Sequence, residues 1–153
     1  MTSIVLVHPE IPGNTGSVGR TCVALDMELV LVKPYGFAIT DTRLKRAGLD
    51  YWQHIRLAEF ASWEDFLAQR TPREDQLYLF EEYAPRSFYE PAYPDDAYLV
   101  FGCETKGLPE QIAAAHRAQM VNLPMRSDKV RSLNLANTVT AAAYQAVRGQ
   151  FTG

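Results

Sequence analysis

Short apolar runs of strand length alternate with helical patterns along almost the whole chain, and that alternation leaves few folds open. Residues 3–7 (SIVLV) read as a first strand. Residues 15–25 read as a helix with Asn14 at its N-cap. Residues 29–32 are a second strand, closed by Pro34 and Gly36. Residues 41–47 form a short helix begun by Thr40 or Asp41 and ended by Gly48. Residues 54–57 give a weak third strand, and residues 62–69 a helix. Ser62 serves as its N-cap, with Asp65 three residues on completing an approximate capping box. Strands follow at 76–80 and 98–101, the second the more buried in character. Residues 109–116 are a helix with proline in its first turn. Residues 120–123 are a last strand stopped by Pro124, and residues 132–147 the longest helix, Ala-rich and ended by Gly149. Buried-type strands alternating with helices mean an α/β fold, a mostly parallel sheet covered on both faces. At 153 residues this is one domain, residues 1–153.

In such sheets ligands bind beyond the carboxyl ends of the strands. Three strand ends open into loops of unusual composition, at 8–19, 102–107 and 124–131, and they are expected to converge on one site. The first segment, HPEIPGNTGSVGR, carries Gly13, Gly16 and Gly19 without a G-x-G, so neither a Rossmann fingerprint nor a P-loop is present. Arg20 falls in the helix that follows, where a salt bridge inside the fold competes with a ligand contact. The second, LVFGCETKGLP, places Gly102 where a ligand can approach and offers Glu104 as an acceptor or as a plain loop carboxylate. The third, NLPMRSDKVRSLNLANTV, sets Arg126, Lys129 and Arg131 before a helix start rich in Ser132, Asn134 and Asn137. Polar groups there face something specific, while the Ala136–Ala143 face suits packing on the sheet or another helix.

Charge adds a little. Residues 1–57 hold six Lys/Arg and five Asp/Glu, residues 58–110 four and twelve, and residues 111–153 five and one. A basic C-terminal third on a chain of net charge −3 permits local phosphate binding. Cys22 and Cys103 form no C-x-x-C, and His8, His54 and His116 have no ligand spacing, so no metal is expected and the thiols read as reduced and buried. The longest early apolar run, 4–7, is too short for a signal peptide or a membrane span, which points to a cytoplasmic protein.

The stretches PEIPGNTGSVGR, GFAITDTRLKRAGLDYW, LVFGCETKGLP and LPM followed by VRSLNLANTV, in this order and spread from residue 8 to about 146, resemble the SPOUT superfamily of RNA methyltransferases. Within it they are similar to the small single-domain tRNA wobble 2′-O-methyltransferases. That resemblance implies methyl transfer from S-adenosyl-L-methionine to the ribose 2′-hydroxyl of cytidine or uridine 34 of tRNA. The alternative is a relative acting on another tRNA position or on rRNA. It also implies a C-terminal trefoil knot, which general topology would reject. It implies a homodimer, with the last helix at the interface and its small-residue face explained by that contact. By position it assigns the cofactor to Phe80, Gly102, Leu123 and Ser132, with Met125 and Leu133 adding main-chain bonds and Glu104 and Asn134 meeting the methionine moiety. Arg20 corresponds to the arginine often given the catalytic step, and Asn14 joins Glu104 in orienting the ribose. A guanidinium is a poor base, so Arg20 polarises the hydroxyl or clamps a phosphate that takes the proton. RNA contacts fall to Arg43, Lys45, Arg46, Arg126, Lys129 and Arg131, with Tyr51 and Trp52 able to stack a base and Trp52 favoured for the core. Of the readings of another class, a nucleotide- or NAD-binding module would need the G-x-G-x-x-G and acidic ribose signature that are missing here, and a non-catalytic RNA binder would not be stabilised by S-adenosylmethionine.

Overall fold

The computed structural model describes residues 1–38, 42 and 51–151. Within them lie strands β1 (Ser3–Val7), β2 (Glu28–Val32), β3 (Arg56–Phe60), β4 (Leu77–Phe80), β5 (Tyr98–Phe101) and β6 (Met120–Val121). The helices are α1 (Pro12–Ala24), α2 (Trp63–Arg70), α3 (Glu110–Ala115), α4 (Leu135–Ala146) and the single turn α5 (Arg148–Phe151). The strands form one sheet in the order β3-β2-β1-β5-β4-β6, with every pairing parallel. The expected α/β class is therefore observed.

Strand periodicity divides the core in two. Ile4, Leu6, Leu29, Leu31, Leu99 and Phe101 face Val18 and Cys22 of α1 and Val139, Ala142 and Ala143 of α4. Val5, Val7, Val30, Val32 and Val100 face Trp63 and Phe66 of α2 and Ile112 of α3. Both faces of β1 are covered, and Ile4 to Val7 are wholly inaccessible, as a central parallel strand requires. Burial pushes the Cys22 thiol up to about 12, so it is an inert core group.

Some boundaries differ from the sequence reading, each for a local reason. Helix α1 starts at Pro12 with Ile11 as its N-cap, so Asn14 is not the cap and lies inside the first turn. Proline is pre-set for the first helical position, and Asn14 N and Thr15 N already donate to Ile11 O. Gly13, Gly16 and Gly19 are thus helical, not loop, residues. A Cβ on Gly19 would stand 2.6 Å from Ile55 Cδ1 and 3.3 Å from Trp52 Cζ3, so this glycine admits the turn at Trp52–His54 against the helix. That turn moves the third strand on to Arg56–Phe60. Ser62 caps α2 as expected, its Oγ accepting from Asp65 N at 3.0 Å, but Asp65 reaches back to Ala61 N and so closes the box one residue early. Helix α4 begins at Leu135, capped by Asn134 Oδ1 accepting from Asn137 N, so Ser132 does not open it and sits in the preceding loop. The expected helix at 41–47 lies outside the described residues except for Thr42.

The small-residue face of α4 has an occupant within the chain. Ala136, Val139, Ala142 and Ala143 are buried in the core beside α1, and Thr21 and Thr140 hydroxyls meet at 2.8 Å across the two helices. A dimer contact is not needed to explain that face.

Candidate active site

All six strands are parallel, so the loops after β1, β4, β5 and β6 leave the same edge of the sheet. Hydrogen bonds tie three of them together. Glu104, after β5, accepts from Glu10 N at 3.0 Å and Ile11 N at 2.6 Å, and from Asn14 Nδ2 at 3.4 Å. Its carboxylate thereby takes up main-chain N–H groups just before and at the start of α1, where negative charge is favoured. Glu10 returns the contact, accepting from Thr105 N and Oγ1, both at 2.8 Å. The Thr105 backbone and hydroxyl donors hold the Glu10 carboxyl below the usual range. Asn14 then links to the third loop, its Oδ1 accepting from Asn134 Nδ2 at 3.2 Å. Residues 8–14 and 102–107 therefore meet, with Asn14 at the junction, and the third link comes from Asn134, three residues beyond the expected 124–131 segment, whose Met125 lines the adjoining cavity. His8 enters this region with φ of 56°, a left-handed backbone that a non-glycine residue rarely adopts.

Beside the clasp lies a cavity of about 640 Å³, counting its open mouth. Phe80, Gly102, Glu104, Leu123, Met125, Ser132 and Leu133 all line it. Asn134 does not; it caps α4 and holds Asn14. The Phe80 and Phe101 rings stack at 4.6 Å between centroids and make an apolar wall. Gly102 is required by close approach, since a Cβ there would stand 2.0 Å from Gly107 C. Glu104 lines the cavity, yet its oxygens are engaged by Glu10, Ile11 and Asn14, so the structure gives it the work of fixing the loops. Sequence reasoning missed Glu81 and Glu82 on the same lining. The available signal was a pair of carboxylates directly after the apolar run of β4.

Arg20 is exposed on α1, its guanidinium carbon 5.4 Å from the centre of the Tyr51 ring. The Tyr51 hydroxyl donates to Gly16 O at 2.9 Å, which holds the ring against α1. Among the described residues no ion pair involves Arg20, so the internal salt bridge is not what holds it. Trp52 is half-buried against Gly19. Arg126, Lys129 and Arg131 are exposed on the loop before α4. Arg126 and Arg131 border a second, wider depression that shares Glu82, Leu123 and Met125 with the first. Arg43, Lys45 and Arg46 lie outside the described residues. Among the described residues no His, Cys, Asp and Glu group could hold a metal, and no helix is long and apolar enough to cross a membrane.

The sequence pattern of the SpoU rRNA Methylase family matches residues 1–144. The chain belongs to this family. A tRNA (cytidine(34)-2′-O)-methyltransferase of Burkholderia cenocepacia is 40% identical over 149 residues, 97% of this chain and 95% of that one. A solved structure described as giving insights into the 2-OH methylation of C/U34 on tRNA superposes with a TM-score of 0.90. It is 42% identical, covering 98% of this chain and 96% of that one. The SpoU methyltransferase AviRb of Streptomyces viridochromogenes, solved with AdoMet, superposes with a TM-score of 0.83 at 24% identity, over 99% of this chain and 61% of that one. That last likeness shows the fold alone.

The cavity suits an S-adenosyl nucleoside on its own chemistry. It combines stacked aromatic rings, leucine side chains, glycine main chain, and acidic groups both buried and exposed. An adenine face, a ribose and a cationic amino-acid tail need those partners.

Proposed function

We propose that this protein transfers a methyl group from S-adenosyl-L-methionine to the ribose 2′-hydroxyl of the wobble nucleotide, cytidine or uridine 34, of tRNA. One observation carries the reading. The loops bearing the quoted sequence stretches meet at Asn14, beside a cavity that seven of the eight assigned cofactor residues line. Full-length similarity to proteins of that description supports it.

When bound, S-adenosylmethionine supplies an electrophilic methyl on a sulfonium. The protein supplies place and field. Phe80, Leu123 and Leu133 enclose the apolar part of the cofactor, and Gly102 leaves its main chain open to it. Glu104 and Glu10 lock the two loops. Asn14, held from both sides, orients the ribose. Arg20, braced on Tyr51, draws electron density from the 2′-hydroxyl or holds the phosphate that accepts its proton. Arg126, Lys129 and Arg131 position the RNA backbone. The reading includes a cytoplasmic homodimer and a knotted C-terminal segment. The knot is supported by Asn122, which donates to Arg86 O and Ala84 O and accepts from Phe88 N, bringing the chain after β6 against the 81–97 loop.

The test is incubation with labelled S-adenosylmethionine and bulk tRNA from a strain lacking the gene, followed by nucleoside mapping. Label in 2′-O-methylcytidine or 2′-O-methyluridine at position 34 is expected. Label elsewhere in tRNA, or only in rRNA, overturns the substrate and keeps the chemistry. Failure to bind the cofactor overturns both.

A further inference from the structure

Glu81 follows β4 directly and is only 8% exposed, yet it belongs to the cavity wall. Loop 102–108 is moulded around its carboxyl group. Leu108 N donates to Oε1. Gly107 has φ of +72°, and a Cβ there would stand 2.7 Å from Oε1 and 2.9 Å from Oε2. Oε2 has no hydrogen-bond partner among the described residues, and it is not one of the buried side-chain atoms stranded without a partner. Glu81 belongs to the cavity lining, so a ligand seated there meets this carboxyl beside its unpartnered oxygen. Burial raises this carboxyl above the usual range, against the pull of the Leu108 N–H.

A carboxyl with one oxygen anchored and the other turned to a pocket accepts hydrogen bonds from ligand donors. The surroundings choose among donors. Phe80, Phe101 and Leu123 border the same space. A buried acid among rings and glycine main chain favours neutral donors, because a charge placed there loses its water. A cationic tail finds Glu82, exposed on the same lining. The neutral donors of an S-adenosyl nucleoside that match a carboxylate are the vicinal ribose hydroxyls, which acidic residues also recognise at dinucleotide sites.

We propose that Glu81 recognises the ribose of the cofactor, its Oε2 accepting from the 2′- and 3′-hydroxyls while Oε1 stays on Leu108. This rests on the S-adenosylmethionine reading above. The test is calorimetric binding of S-adenosylhomocysteine and of its 2′-deoxy and 3′-deoxy forms to the unaltered protein, to Glu81→Gln and to Glu81→Ala. In the unaltered protein at least one lost hydroxyl should weaken binding about tenfold or more, the scale of a hydrogen bond to a charged acceptor. In Glu81→Ala that ratio should collapse to about threefold or less, with Glu81→Gln between, because an amide keeps one acceptor oxygen. A residue that merely holds Gly107 and Leu108 would weaken all three ligands alike. An unchanged deoxy ratio in both variants overturns the proposal, and Glu81→Gln supplies that ratio even if the alanine variant fails to fold. Failure of S-adenosylhomocysteine to bind the unaltered protein removes the cofactor reading itself, and this inference with it.

Discussion

The two ends of the sheet handle charge in opposite ways. At the amino end carboxylates meet cations. Arg70 forms a two-pronged pair with Glu28 at 2.7 and 2.8 Å, Arg73 reaches Asp75 and Asp96, and Arg56 pairs with Asp26. At the carboxyl end Glu10, Glu81 and Glu104 are met by main-chain N–H groups, a hydroxyl and an amide. Among the described residues Arg126, Lys129 and Arg131, in the loop beside the cavity, make no ion pair, and the pair recorded at that end, Lys33 with Glu59 at 3.9 Å, lies by the edge strand β3. The amino end is neutralised within the fold. The loops around the cavity are built without Arg126, Lys129 and Arg131, which stay available to an anionic substrate.

The largest expected effect belongs to Arg20→Ala, a cation with no ion pair among the described residues. Methyl transfer should fall roughly 10²–10³-fold, the scale of one lost transition-state donor, with S-adenosylhomocysteine affinity and melting temperature unchanged. A parallel loss of cofactor affinity would show that Arg20 serves the pocket instead. The mirror experiment is Arg70→Ala. It strands a half-buried Glu28 and should cost about 1.5–3 kcal/mol in denaturant unfolding, with turnover at low temperature retained. Burial pushes Glu28 up, but the Arg70 hydrogen bonds and charge bring it below the usual value. That contribution is present at neutral pH and lost as pH falls through the depressed Glu28 value, so variant and parent should converge in acid.

Glu104→Ala should sit between these extremes. It frees Glu10 N, Ile11 N and Asn14, and should lower methyl transfer about tenfold with well under ~1 kcal/mol lost in stability, since the freed N–H groups are exposed to water. Replacing Arg126, Lys129 and Arg131 together by serine should weaken tRNA binding and flatten its dependence on log salt concentration by about 2, if each meets one phosphate. The smallest effect belongs to Glu81→Gln. A buried acid raised above its unfolded value contributes stability that is full below the ordinary glutamate range and is lost as pH rises through the raised value. The glutamine variant should lack that downward slope in melting temperature as pH rises above the ordinary glutamate range.

Most of the sheet was legible in the sequence because its strands are continuous apolar runs between turn residues. Strands β1 and β5 fall on the expected residues, and β2 within one. The edge strand β3 was misplaced because its pattern, RLAEF, is only partly buried. Helix starts were misread where two caps compete. Asn14 and Ser132 have the right chemistry for a cap, but Pro12 and Asn134 set the backbone first. The convergence of three loops followed from parallel architecture alone. What stayed hidden was partnership. Nothing in the sequence says that Glu104 faces Ile11, 93 residues away, or that Glu81 lies under Gly107. Such pairs are made by strand order, and strand order was not written in any one segment.

The cavity wall also has an order in time. Leu123, Met125, Ser132, Leu133, Leu135 and Thr138, a large part of the lining, come from chain translated after all six described strands. A nascent chain of residues 1–121 carries all six described strands but only part of the cavity wall. A ligand that needs the whole wall therefore favours chains elongated through residue 138.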